Sequence, residues 1–406
     1  MSFSELKPYI LSVSLTVPGL IFSHANMGIS PLWMALFTGL AILGASFLLT
    51  WACEVAQLDV PQAVAVAVVA FIAVLPEYAV DMYFTWMAGQ YPDSSYAHYA
   101  IANMTGANRL LIGLGWSSLV FVFAIRYHAF IELADKMRTE ILFLCMATIY
   151  AIVISVKGSL TVIDGCVFIA IYIWYMMIIS RRPCEEEEPE GPALIIARLP
   201  KKKRIFVSII IFLFAAIIII LNAEPFSESL VASGKILGIN EFLLVQWLAP
   251  IASEAPEFIV GLMFAFRGNA SLALGSLLSS KLNQWTLLVG TIPSVFALSS
   301  GHIFPSLPFD SHQIQEILLT AAQSFFAISL LLDLKLHLKE ACALILLFVA
   351  QLLAPIYEVQ LEILLNLSHD PLRLHGFYSI VYLVLGSYLF IRNWRLLCKL
   401  RHGFKV

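Results

Sequence analysis

The sequence predicts an all-α polytopic membrane protein, built from two inverted five-helix repeats with an extra helix at each end. Composition is the first observation: of 406 residues, 60% are hydrophobic and only 13% are charged, whereas about a quarter are charged in soluble proteins. The others are twelve long apolar stretches and a motif that occurs in each half. The composition excludes a soluble enzyme, a disordered protein and a nucleic-acid-binding protein.

The apolar stretches are predicted to be membrane-spanning helices. A bilayer core about 30 Å thick requires roughly 20 mostly apolar residues. Backbone groups in hydrocarbon must pair within their own segment, which makes these stretches helical. The predicted spans are 8–24, 32–53, 61–88, 98–125, 139–156, 159–180, 205–236, 241–266, 270–297, 313–333, 336–356 and 374–392.

The first span has two interpretations. Lys7 followed by apolar residues could be a signal peptide, but Ser23-His24-Ala25 is a poor cleavage site. Pro18 also interrupts the apolar run. An uncleaved anchor helix is therefore the preferred interpretation.

The basic residues predict the orientation. With a cytoplasmic N-terminus, all but five of the 24 Lys and Arg residues fall at the cytoplasmic face, as the positive-inside rule requires. Lys157, Lys235 and Arg373 fall at the other face, and Arg109 and Lys281 lie inside the membrane. We expect a multi-pass protein of the plasma membrane with its N-terminus, central loop and C-terminus in the cytoplasm.

The central segment 181–204 is rich in charge and proline, which indicates a flexible cytoplasmic loop. A regulatory cation site at Glu185 to Glu188 is the alternative. The six cysteines form no CxxC pair, so neither a disulfide framework nor a zinc site is expected. The predicted parts are an anchor helix (1–31), a first repeat (32–180), the loop (181–204), a second repeat (205–356), and a last helix with a basic tail (357–406).

A repeated motif relates the two halves. Pro76-Glu77 and Pro256-Glu257 each lie within a span, and each half contributes five spans. Because five is odd, the second half enters the membrane with inverted topology, an arrangement typical of transporters. Proline also removes a backbone N–H and frees a carbonyl, which is a good ligand for hard cations.

These residues resemble the cation/calcium exchanger superfamily, which includes sodium/calcium exchangers. Its repeats carry G-T-S-x-P-E on one helix and a motif similar to G-S-N-x-x-N on the next. The second repeat is the closer match, with 252–257 and 279–284, while the first repeat keeps Pro76-Glu77 and 106–108. The resemblance covers about residues 32–356.

The resemblance implies a cation site and a mechanism. It implies Glu77 and Glu257 as the central cation-binding carboxylates, with Ser253, Ser280 and Gln284 as further ligands. It also implies that helices 32–53 and 205–236 slide to switch access. The matching positions of the first repeat cannot offer side-chain oxygens; they are Ala73, Val74, Ala107 and Leu111.

The charges support a cation site independently. A carboxylate at the bilayer centre costs about 2.5–3.5 kcal/mol, so it marks a candidate functional site. Glu77 and Asp81 are four residues apart, and Glu254 and Glu257 are three apart, which places each pair on neighbouring helix faces. Calcium prefers several such oxygen ligands. The alternative is an internal set of salt bridges.

Two basic residues strengthen that alternative. Lys281 replaces an asparagine of the family motif and could neutralise Glu77 or Glu257. We predict that Arg109 pairs with Asp81; the other interpretation is that it extends to the membrane surface.

Some polar residues keep two interpretations. His98 is expected to be an interfacial histidine, with a proton relay as the alternative. Asn103, Asn108 and Asn283 could hydrogen-bond across helices or bind an ion.

The predicted function is secondary active antiport of a cation, Ca²⁺ in the first place, in exchange for H⁺ or Na⁺ by alternating access. The scarcity of oxygen ligands and the internal lysine favour H⁺. A cation channel or leak pathway, and a non-transporting membrane protein with a salt-bridged core, are the alternatives. No nucleophile–base arrangement is evident, so we expect no enzyme activity and no cofactor. The expected partners are cations and the lipid bilayer, with no nucleic acid.

Overall fold

Long helices form most of the computed structural model, which describes residues 3–24, 28–59, 74–181, 189, 191–302, 304–354, 371–400 and 403. The helices of the first half are α1 (Phe3–His24), α2 (Pro31–Ala56), α3 (Leu75–Gln90), α4 (Tyr96–Leu110), α5 (Ser117–Tyr127), α6 (Arg138–Lys157) and α7 (Val162–Ile179). Those of the second half are α8 (Ala193–Ala197), α9 (Lys201–Leu237), α10 (Glu241–Phe266), α11 (Ala270–Asn283), α12 (Val289–Ser300), α13 (Ser311–Leu330), α14 (Leu338–Leu353), α15 (Pro371–Arg392) and α16 (Trp394–Leu400).

The helices present apolar surface to their surroundings. Within the described residues, nine candidate spans are long and apolar enough to cross a membrane. Large side chains such as Val156 and Ile391 are mostly exposed on these helices. Exposed apolar side chains on helices of this length suit hydrocarbon and not water. The predicted all-α membrane fold is confirmed, and the protein is a multi-pass integral membrane protein.

One predicted span is described only in part, and another begins later than predicted. The described part of the third predicted span begins at Leu75; residues 60–73, including Ala73, lie outside the described residues, as do Glu185 to Glu188. The sixth span begins at Val162 and not at residue 159, because Ser159–Thr161 forms a strand. Extended residues can pair with another loop, and pairing of this kind is not visible in hydropathy.

Two short antiparallel ribbons join loops. Strand β1 (Ile131–Glu132) pairs with β4 (Lys335–Leu336), and β2 (Ser159–Thr161) pairs with β3 (Ser306–Pro308). In each ribbon, both loops were assigned to the same face of the membrane. The ribbons therefore agree with the predicted alternation of spans.

One compact unit contains residues 1–103 and 176–257. Its helices α1, α2 and α9 pack along one another around a buried cluster that includes Leu48, Trp51 and Ile219. At the end of α2, Asp59 accepts hydrogen bonds from Arg204 in the first turn of α9, each 2.6 Å long. The 37 residues of α9 span about 55 Å at 1.5 Å per residue, so this helix is longer than a bilayer core and must tilt or protrude.

The other compact unit contains residues 104–175 and 258–406. Helix α13 packs against α6 and against α15, the additional helix at the C-terminal end. Gly165 of α7 and Gly290, where α12 begins, bring two backbones into contact. A Cβ on Gly165 would lie 2.4 Å from the carbonyl oxygen of Gly290.

We expect Gly165→Ala to destabilise the protein by about 1–3 kcal/mol, because the added methyl group has no free space and must displace a backbone. The thermal unfolding midpoint in detergent and the yield of monodisperse protein on size exclusion measure the effect. Gly376→Ala is the matched control, since its nearest neighbour would be 4.0 Å away. Equal behaviour of the two variants would contradict the inferred close approach.

Candidate functional site

The first proline–glutamate pair lies at the start of α3. Pro76 and Glu77 occupy the first turn of this helix, and Val74 is its N-cap. A proline in the first turn interrupts no helical hydrogen bond, because the N–H that it lacks has no partner there. The helix dipole favours negative charge at this end, so the position suits the Glu77 carboxylate.

The second proline–glutamate pair lies inside α10, which continues through Pro250 and Pro256 without a break. Pro256 has no N–H to donate to the carbonyl of Ala252. The predicted interruption therefore takes two different forms. In the first repeat a helix begins at the motif, and in the second a continuous helix loses a backbone donor.

Four carboxyl groups converge in the first unit. Glu77 and Asp81 of α3 are 1% and 0% exposed, and Glu254 of α10 is also buried. The Glu77 carboxyl lies close to Glu254, Asp81 and Glu257. The structure thus brings together the four acidic side chains that the sequence singled out.

Few donors satisfy these acids. Neither oxygen of Glu77, nor Oδ2 of Asp81, nor Oε2 of Glu257 has a hydrogen-bond partner among the described residues. Asp81 Oδ1 accepts a hydrogen bond of 2.7 Å from Nδ2 of Asn103. An ionised carboxylate is an acceptor only, and adjacent buried carboxylates repel one another. The cluster therefore needs cations or protons to be stable.

The buried arginine has a partner in the second unit. Arg109 donates a hydrogen bond to Glu316 of α13, and the two side chains are 2% and 1% exposed. Extension of the arginine to the membrane surface is wrong, because its side chain is buried. The pair with Asp81 stays a prediction. The acid that Arg109 contacts depends on the direction in which its side chain leaves the helix. The spacing of acids and bases along the sequence does not show that direction.

Lys281 is fully buried in the second unit. Its ammonium donates hydrogen bonds to the side-chain oxygen of Asn108 (2.7 Å) and to the backbone carbonyl of the same residue (3.2 Å). It also lies 4.6 Å from the ring centroid of Trp285. Lys281 and Asn108 occupy equivalent positions of the two repeats. The lysine of the second repeat therefore binds the asparagine that stands at the same position of the first repeat.

The remaining predicted ligands are distributed over both units. Ser253, in the first unit, donates hydrogen bonds of 3.3 Å to the carbonyls of Ala249 and Pro250. Ser280 and Gln284 lie in the second unit, at the end of α11 and just beyond it. Gln284 is fully buried.

Both repeats contain a π-helical turn at matching positions. Leu111–Trp116 follows α4, and Gln284–Leu288 follows α11. Such turns are rare and often occur at functional sites. Each one begins at the last position of its repeat's second motif, at Leu111 and Gln284, so the wider turn accompanies the motif in both copies.

Sequence reasoning missed several buried polar residues. Glu316 was not predicted as a partner of a basic residue, and Gln323 donates a hydrogen bond of 3.3 Å to the carbonyl of Arg109. Cys53 of α2 is buried with its thiol close to Glu257. An acid one turn into a span was a signal for Glu316; Cys53 carried no signal.

A family model matches most of the chain, and a solved structure matches almost all of it. The model of the sodium/calcium exchanger protein family matches residues 29–181 and 207–357. The crystal structure of the H⁺/Ca²⁺ exchanger CAX is similar with a TM-score of 0.91 and 41% sequence identity, and the match covers 99% of this chain and 98% of that one.

More distant structures share the fold. Native YfkE has a TM-score of 0.60 at 16% identity, covering 93% of this chain and 100% of its own. The sodium-calcium exchanger NCX_Mj, soaked with Na⁺ and Sr²⁺, has a TM-score of 0.52 at 17% identity, covering 84% and 97%. A comparison with curated protein sequences gave no match.

Proposed function

Since this chain belongs to the sodium/calcium exchanger protein family and is a Ca²⁺ antiporter, we propose that it exchanges Ca²⁺ for H⁺ at the acidic cluster of Glu77, Asp81, Glu254 and Glu257. The CAX exchanger that it matches at 41% identity exchanges the same two ions. The proposal assigns ion transport to the chain and no enzymatic step.

Convergence of buried carboxyl groups around Glu77 carries this proposal. The oxygens of Glu77 have no hydrogen-bond donor among the described residues, and Glu254 and Glu257 lie close to Glu77. Ca²⁺ takes six to eight oxygen ligands from carboxylates and carbonyls. The Ala252 carbonyl, which Pro256 deprives of its helical donor, is a further ligand candidate.

We assign Ca²⁺ binding to Glu77 and Glu257, with Asp81 and Glu254 assisting or carrying protons. Because an ion of charge +2 and protons neutralise the same oxygens, binding of one displaces the other. Ser253 keeps lone pairs after donating its proton, so it remains a proposed ligand. Ser280 and Gln284, in the second unit, remain proposed ligands on the family resemblance alone.

Protons are the proposed counter-ion for two reasons. Lys281 replaces a motif asparagine and fixes an ammonium on Asn108, where a neutral side chain would leave the asparagine oxygen available to a monovalent ion. At the first-repeat positions that carry hydroxyl or amide ligands in the family, this chain has Val74, Ala107 and Leu111. Few oxygen ligands thus remain for Na⁺.

The orientation of the protein in the membrane and the boundaries of its two repeats are proposed as the sequence predicts them. The bias of basic residues supports cytoplasmic termini and a cytoplasmic central loop, with the plasma membrane as the location. The repeats are proposed to be 32–180 and 205–356. Alternating access is proposed to involve helices 32–53 and 205–236, which correspond to α2 and α9.

We expect a pH gradient to drive accumulation of radioactive calcium in proteoliposomes, and an equal Na⁺ gradient at constant pH to drive none. The reason is that protons can occupy the same carboxylates, whereas few ligands remain for Na⁺. Liposomes without protein and a protonophore are the controls. Uptake driven by Na⁺ alone would contradict the counter-ion, and uptake without any counter-gradient that continues at equal rate would indicate a channel.

A further inference from the structure

The structure assigns a second cation site, for a transition metal of the Zn²⁺ class, to His312, Glu316 and His375 in the second unit. One ligand atom from each of these residues lies within 4.8 Å of those of the other two. None of the three belongs to the acidic cluster around Glu77. The site is independent of the proposed exchange reaction.

Two helices supply the three ligands. His312 lies in the first turn of α13 and Glu316 lies four residues later, so their side chains share one helix face. His375 comes from α15, which packs against α13. Residue 375 lies beyond the segments 29–181 and 207–357 that match the family model, so the site includes a residue outside the matched repeats.

The distances suit a small metal ion. His375 Nε2 lies 2.9 Å from Glu316 Oε1, and the rings of His312 and His375 have centroids 5.3 Å apart. Zn²⁺ binds histidine nitrogen and carboxylate oxygen at about 2.0–2.2 Å, which places neighbouring tetrahedral ligands about 3.3–3.6 Å apart. Metal binding therefore requires the three ligand atoms, which already lie within 4.8 Å of one another, to move to that separation.

The second oxygen of Glu316 is held from outside the site. Arg109 donates a hydrogen bond to Oε2 of Glu316, which leaves Oε1 directed at His375. Partners of this kind orient metal ligands and contribute to metal affinity. His375 is 17% exposed and His312 is partly exposed, so the two imidazoles are not sealed inside the second unit.

The donor set selects against calcium. Imidazole nitrogen suits zinc, copper, nickel and iron, whereas Ca²⁺ prefers an all-oxygen shell. Two histidines and one carboxylate also match the His₂Glu set of zinc sites that keep an open position for water. The two cation sites of this chain are therefore expected to differ in chemistry: oxygen only at Glu77, and nitrogen with oxygen at Glu316.

Co²⁺ absorption spectroscopy on the tag-free, full-length protein in detergent tests the site. We expect visible d–d bands that saturate at one Co²⁺ per chain and disappear on addition of Zn²⁺. His312→Gln and His375→Gln should each weaken binding by at least about 10-fold, since even outer-shell partners are worth about 10- to 100-fold. His302→Gln, at an exposed histidine, is the matched control and should bind as the wild type does.

Two further variants separate loss of this site from loss of folding and from binding at the acidic cluster. The Glu77→Gln/Glu257→Gln double variant should retain the bands, because it removes only the oxygen cluster. His375→Cys supplies a different ligand and should add a sulfur-to-cobalt charge-transfer band absent from wild type, which demonstrates folding and ligation together. Non-saturating binding, or bands that persist in both glutamine variants of the histidines, would overturn the site. The readout is metal binding, so its result does not depend on whether the protein exchanges Ca²⁺ for H⁺.

Discussion

Glu77→Gln is expected to lower Ca²⁺ uptake into proteoliposomes by at least about 30-fold, because removing one partner of a buried charge interaction costs about 2–5 kcal/mol and each 1.4 kcal/mol is tenfold. Glutamine keeps the shape of the side chain but replaces an anionic oxygen with an N–H donor. That donor points towards the neighbouring carboxylates and can satisfy one of them in place of the ion. Glu257→Gln should have a similar effect.

The matched control for these variants is Glu132→Gln. The Glu132 side chain is 63% exposed and faces Lys335 at 3.4 Å across the β1–β4 ribbon, so its loss should leave uptake unchanged. Calcium binding measured on detergent-purified protein separates a loss of affinity from a loss of conformational switching. Uptake at the wild-type rate in both Glu77→Gln and Glu257→Gln would remove these residues from the site.

Arg109→Leu is expected to lower the thermal unfolding midpoint in detergent by about 3–10 °C. Breaking a buried ion pair costs about 3–5 kcal/mol. Each kcal/mol shifts the midpoint by about 2–4 °C in chains of 150–250 residues, and by about half as much in a chain of 406 residues. The variant leaves Glu316 buried with a charge that Arg109 no longer neutralises. Arg109→Leu/Glu316→Leu removes both charges and should recover much of the loss.

Arg198→Leu provides the contrast with an exposed ion pair. Arg198 faces Glu5 at 3.5 Å, with side chains 69% and 40% exposed, and such pairs contribute about 0–1 kcal/mol. Its midpoint should therefore stay close to that of the wild type. If Arg109→Leu were equally harmless, or if the double variant were less stable than Arg109→Leu, the inferred role of the Arg109–Glu316 pair would be contradicted.

The sequence was sufficient to predict the features that follow from the length and polarity of segments. Nine of the twelve predicted spans have counterparts among the candidate membrane spans of the described residues. The repeats and the four acids were also found in this way, because hydrocarbon allows few charged residues and few unpaired backbone groups. The partner of Arg109 could not be predicted, because it depends on the rotation of α4 and on which helix face lies beside it. The same is true of Lys281, whose asparagine partner lies in the other repeat.

Some local backbone features could not be predicted from the sequence either. The π-helical turns that begin at Leu111 and Gln284 lie inside predicted apolar spans, so hydropathy does not distinguish them from the α-helix around them. The β2–β3 ribbon depends on two loops that meet after the helices have packed. Hydropathy describes a segment by itself, whereas these features depend on pairs of segments.

The ion pair between Arg204 and Asp59 has a consequence for acid tolerance. The hydrogen bonds that Arg204 donates lower the pKa of the Asp59 carboxyl. A carboxyl with a lowered pKa contributes its full stabilisation above the usual carboxyl pKa and loses it only as the pH falls through the lowered value. Mild acidification of the surrounding water therefore leaves intact the ion pair between Asp59, just after α2, and Arg204, in the first turn of α9. In a protein proposed to release protons into that water, these two helices can keep their alignment while the local proton concentration rises and falls.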